Sequence, residues 1–83
     1  MLNYIVENAK DNFLKIQRII TDSKTKTELV NKLRQEDVVI EEYEERINII
    51  KDELKIVVDT KKGIIIKKVL VYNENYEEYV NLF

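Results

Sequence analysis

Between Leu2 and Asp22 the apolar residues Leu2, Ile5, Ala9, Phe13, Ile16 and Ile20 return at three- and four-residue steps. That spacing lines them along one face of a helix over residues 2–22. Thr21, Asp22 and Ser23 break the period. Thr25 followed three positions later by Glu28 has the form of a capping box, so a second helix is expected over 25–35, with Leu29, Val30 and Leu33 as its apolar positions.

From Ile40 onward, Tyr43, Ile47, Ile50, Leu54 and Val57 keep alternating three- and four-residue steps, a heptad stripe that predicts a third helix over 37–53. The β-branched Val38, Val39, Ile40, Ile49 and Ile50 support an alternative in which residues 38–51 add a third strand to an antiparallel sheet, turning at Asp52 and Glu53. Residues 54–58 and 64–72 are rich in Ile and Val, and the stretch from Asp59 to Gly63 between them holds the only glycine, so a β-hairpin is expected there. An isolated hairpin is marginal in water and needs helices on one face, a third strand or a second subunit. Asn73 or Asn75 can cap a short helix over 75–83, in which Tyr76, Tyr79, Val80 and Phe83 fall at i, i+3, i+4 and i+7. No Ser/Gly/Pro-rich stretch or internal repeat divides the chain, so residues 1–83 are read as one α+β domain.

Composition narrows the chemistry. The chain has no Cys, no His, no Trp and no Pro. Nucleophilic catalysis of the Ser/His/Asp or Cys/His kind therefore lacks its base, and Ser23, the only serine, reads as a cap or turn residue. One glycine cannot build a phosphate-cradling loop. An enzyme is the last of the readings, and no cofactor or metal is expected. No apolar stretch approaches ~18 residues, and Glu7 and Asp11 interrupt the region where a signal peptide needs an apolar run, so a cytoplasmic protein with no membrane partner is expected. At 83 residues the chain can bury only a little over ~60% of its unfolded surface, so a partner subunit in a homo-oligomer would help a small core.

Charge is distributed in blocks. The 36–50 segment carries six acidic side chains and one basic, whereas 51–68 carries six basic and three acidic. Within the acidic block, Glu41, Glu42, Glu44 and Glu45 flank Tyr43 and offer a solvated face, or a protein-binding face whose carboxylates mimic nucleic-acid phosphates. Tyr76 and Tyr79 are candidate aromatic anchors for such a partner, since Tyr is enriched at interface centres. Lys61, Lys62, Lys67 and Lys68 form the rival candidate, a basic ridge for nucleic acid, although no aromatic residue is interleaved with them. Their bland reading is a solubilising turn whose lysines discourage edge-to-edge pairing, with Lys67 and Lys68 at an edge or a bulge.

Ile, Lys, Glu and Asn together fill 42 of the 83 positions. In this acidic, Ile/Lys/Glu/Asn-rich composition and in its size the chain resembles the small accessory proteins of bacteriophages and mobile elements, which include anti-CRISPR and other anti-defence inhibitors. The resemblance implies a stoichiometric inhibitor that occupies the surface of a host protein. The expected function is accordingly a non-enzymatic protein-binding module. A small nucleic-acid-binding regulator using the lysine hairpin, or a structural or assembly subunit, are the alternatives.

Overall fold

The computed structural model describes the backbone of residues 2–83 and the side chains of residues 5–83. Two helices, α1 (Leu2–Thr21) and α2 (Lys26–Leu33), precede five strands: β1 (Val39–Glu42), β2 (Arg46–Lys51), β3 (Leu54–Asp59), β4 (Ile65–Asn73) and β5 (Glu78–Asn81). Each strand pairs antiparallel with its neighbours in sequence, giving one meandering sheet in the order β1-β2-β3-β4-β5. Both helices cover the same face of it.

Periodicity explains the layering. On α1, Ala9, Phe13, Ile16 and Ile20 are buried at the spacing of one helical stripe, while Leu2 lies outside the described side chains. They meet Leu29, Val30 and Leu33 of α2 and the inward residues of the central strands. Those inward residues are Ile47 and Ile49 on β2 and Leu54, Ile56 and Val58 on β3, all with no exposed surface. Fully burying each such side chain is worth roughly 1.5–3 kcal/mol. Helix α2 starts at its Thr25 cap: Thr25 Oγ1 accepts the Glu28 N–H at 3.1 Å, while Glu28 Oε2 accepts the N–H of Lys24, one residue before the cap, at 3.3 Å, in place of the Thr25 N–H of a full capping box. The Lys32 ammonium, 3.1 Å from Glu28 Oε1, is the first of the contacts that hold the Glu28 carboxyl below the ordinary glutamate range.

The expected third helix over 37–53 is not formed; that region is β1 and β2. The heptad stripe splits between two faces. Ile40, Ile47 and Leu54 pack toward the helices, whereas Tyr43, Ile50 and Val57 fall on the opposite side. Ile49, Ile56 and Val58, which a helix would leave off the stripe, are buried completely as strand residues. Alternation at period two therefore buries more apolar surface than the helical period does. The β2–β3 connection is the two-residue turn Asp52–Glu53, with Asp52 in the left-handed region at φ 52°. Asp tolerates that conformation better than most residues.

The C-terminal helix expected over 75–83 is also absent. Asn73 Oδ1 accepts the Asn75 N–H at 2.9 Å, forming an Asx turn in place of a helix cap, and the chain returns as β5. Tyr79 and Val80 then stand opposite Tyr72 and Val71, and Phe83 packs its ring 5.2 Å from that of Phe13. Nor is the hairpin a separate unit. Its arms are β3 and β4, flanked by β2 and β5, and the loop between them holds Gly63 at φ 122°. Val57 stands opposite Lys68 and Val58 opposite Ile66, so Lys67 is the extra residue of a β-bulge. No helix among the described residues is long and apolar enough to cross a membrane.

Candidate binding face of the sheet

Helices on one side leave the other side of the sheet free. Strand alternation decides which residues it presents, and the register arranges them in rows. One row runs Glu41–Asn48–Val57–Lys68 across β1 to β4. The next runs Val39–Ile50–Lys55–Leu70, and a third pairs Arg46 with Asp59. Tyr72 and Tyr79 complete the face toward β5. Glu41, Tyr43, Arg46, Asn48, Lys55, Val57, Lys68 and Leu70 enclose a shallow depression of about 530 Å³.

The face is locally ordered by its own polar contacts. The Arg46 guanidinium lies 4.7 Å from the centre of the Tyr43 ring, and Lys55 Nζ lies 5.1 Å from that of Tyr79. Tyr79 meets Tyr72 edge to face at 5.3 Å. Asn48 is buried at the centre of this face; its Nδ2 donates to Glu41 Oε1 at 3.1 Å, and its Oδ1 accepts no hydrogen bond from the described residues.

The residues singled out from sequence fall in three places. Glu41 and Glu42 end β1 on opposite faces, and Glu44 and Glu45 sit in the following turn. Glu42 lies 4.0 Å from Lys26 Nζ, which also donates to the backbone oxygens of Tyr43 at 2.6 Å and Glu44 at 3.2 Å. Lys61 belongs to the β3–β4 loop, yet it lies 4.0 Å from Glu45, and the Thr60 N–H donates to the Glu45 carbonyl at 2.9 Å. The acidic run and the Lys61–Lys62 turn, rivals in the sequence, are thus neighbours at one end of the sheet. Tyr76 is 72% exposed in the β4–β5 turn, at the other end. The four glutamates and two tyrosines do not form one patch, because successive turns of a meander alternate between its ends. Of the four lysines only Lys68 lies on the helix-free face, while Lys67 projects from the bulge.

Arg46, Asn48, Val57, Leu70 and Tyr72 are not among the binding residues expected from the sequence. The available signal was alternation: Arg46, Asn48 and Ile50 interleave with Ile47 and Ile49, and Lys55, Val57 and Asp59 interleave with Ile56 and Val58. Among the described residues no group of three or more acidic side chains gathers closely enough to hold a metal ion. Glu41, Glu44 and Glu45, which a helix would have brought together, are spread over a strand and a turn. No family model, curated protein or solved structure matches the chain.

Proposed function

We propose that this chain is a non-enzymatic binding protein that presents the helix-free face of its sheet to a protein partner. The observation that carries the reading is the make-up of that face. Apolar Val39, Ile50, Val57 and Leu70 lie among Tyr43, Tyr72, Tyr79 and Arg46, and Tyr and Arg are the residue types over-represented in interface cores. Val39 and Tyr43 are exposed, at 60% and 46%, so the apolar character reaches the surface. The compositional likeness to phage and mobile-element accessory proteins supports a stoichiometric inhibitor as the form this binding takes.

The test is a selection of peptides from a random displayed library on the immobilised protein, followed by two variants. Selected peptides should lose binding to Val57→Lys and keep it with Glu41, Glu42, Glu44 and Glu45 all reversed to Lys, apart from a loss traceable to Glu41 alone. The opposite ranking would move the working surface to the acidic turn. Titration with single- and double-stranded DNA and RNA at low and physiological salt checks the nucleic-acid alternative, for which tight, steeply salt-dependent binding is the signature.

A further inference from the structure

We infer that the occupant of the helix-free face is a second copy of this chain, held face to face by a two-fold axis lying along the strands between β2 and β3. The inference rests on the face being a protein-binding surface and names its occupant in the free protein, which a foreign target would have to displace. Rotation about that axis places β1 over the partner copy's β4, and β2 over its β3. The register then supplies the complementarity. Glu41 on β1 and Lys68 on β4 share one row, so each glutamate meets the other copy's lysine. Arg46 on β2 and Asp59 on β3 share another, so each guanidinium meets a carboxylate. In the third, Val39 meets Leu70, and Ile50 meets the aliphatic stem of Lys55. An isologous contact requires this property, that position i fits j while j fits i.

The axis stacks four strands on four, and at about 4.8 Å per strand and six residues at about 3.3 Å the overlap spans roughly 19 by 20 Å, so pairing removes on the order of 800 Å² from water. That is the size of a weak, reversible contact. Stacked about 10 Å apart with their mean strand directions aligned by that axis, the two sheets keep the long Glu, Lys and Arg side chains within reach of each other. Pairing also encloses the row centred on Asn48 and Val57.

Sedimentation equilibrium of the whole protein, supported by circular dichroism to confirm folding, tests this. The wild type should approach twice its 10.0 kDa chain mass. Val57→Lys, at the centre of the face, should be monomeric with unchanged helix content. Glu41→Lys and Lys68→Glu, both at exposed positions, should each weaken association at least tenfold. Mixing those two variants should restore a dimer. In the mixed pair the lysine introduced at position 41 of one copy meets the glutamate introduced at position 68 of the other, and the remaining native Glu41 and Lys68 meet each other. A dimer insensitive to Val57→Lys, or single variants not rescued by mixing, would overturn the arrangement. A wild type monomeric at millimolar concentration would overturn self-association altogether while leaving the face open to a foreign protein, which the peptide selection then decides separately.

Discussion

Asn48 donates to Glu41 across the β1–β2 pair at 3.1 Å, while its own side-chain oxygen is buried without a partner among the described residues. The Asn48 amide is thus only half satisfied at the centre of a face that mixes apolar side chains with charges of both signs. Leaving a buried acceptor unmade costs about 1–3 kcal/mol, whereas Glu41, being exposed, recovers its hydration when released. Asn48→Val should therefore stabilise the protein by on the order of 1 kcal/mol, a rise of about 4–8 °C in melting temperature for a chain of this length. Asn48→Asp should destabilise it, since a carboxylate would be buried beside that of Glu41. Thermal melts of the two variants check both signs; a Val variant less stable than wild type would show that the Asn48 oxygen is satisfied in solution.

Glu28 links helix capping to pH. Its carboxyl is held below the ordinary range first by the Lys32 hydrogen bond and then by the Lys24 N–H. A group depressed on folding adds stability above its unfolded pKa, about 4.3 for glutamate, and loses it as pH falls through the lower folded value. Wild type should exceed Glu28→Gln in stability at pH 7, and the gap should shrink in acid below the ordinary glutamate range. A gap constant from pH 7 to pH 2.5 would show that the carboxylate's charge contributes nothing.

Glu77 occupies the left-handed region at φ 52° in the turn before β5. For a residue with a Cβ that conformation costs about 1–2 kcal/mol, which Gly avoids at some expense in unfolded-chain entropy. Glu77→Gly should accordingly gain roughly 0.5–1 kcal/mol in denaturant unfolding. The corresponding change at Asp52, also at φ 52°, should gain less, because Asp hydrogen-bonds locally in this region. Equal gains would mean that the identity of the turn residue does not matter.

Local signals were the ones legible from sequence. The α1 stripe and the Thr25–Glu28 box are short-range, and each element they specify is set by contacts within a few residues. Asp59 to Gly63 marked its loop through the one glycine. The region from Ile40 to Val57 misled because two tight turns, at 43–45 and at Asp52–Glu53, happen to put inward and outward residues on a common seven-residue spacing. Neither turn has the Asn-Gly or Asp-Gly signature that announces a hairpin. Tyr76, Tyr79, Val80 and Phe83 fit a helical spacing equally well, but Tyr and Val also favour strands, and pairing with Tyr72 and Val71 decided between them. The candidate face was hidden for the same reason: its rows combine residues from four strands, and only the register brings Glu41 and Lys68, 27 positions apart, into one line.

Whether two copies of the chain meet through the helix-free face is decided by methyl spectra of Ile-, Leu- and Val-labelled protein over a dilution series from millimolar to micromolar. The signals of Val39, Ile50, Val57 and Leu70 should move with concentration while those of Ile47, Ile49, Ile56 and Val58, on the helix side, stay fixed. Static signals on the helix-free face, with movement instead at Leu14 on the exposed side of α1, would show that the copies do not meet there.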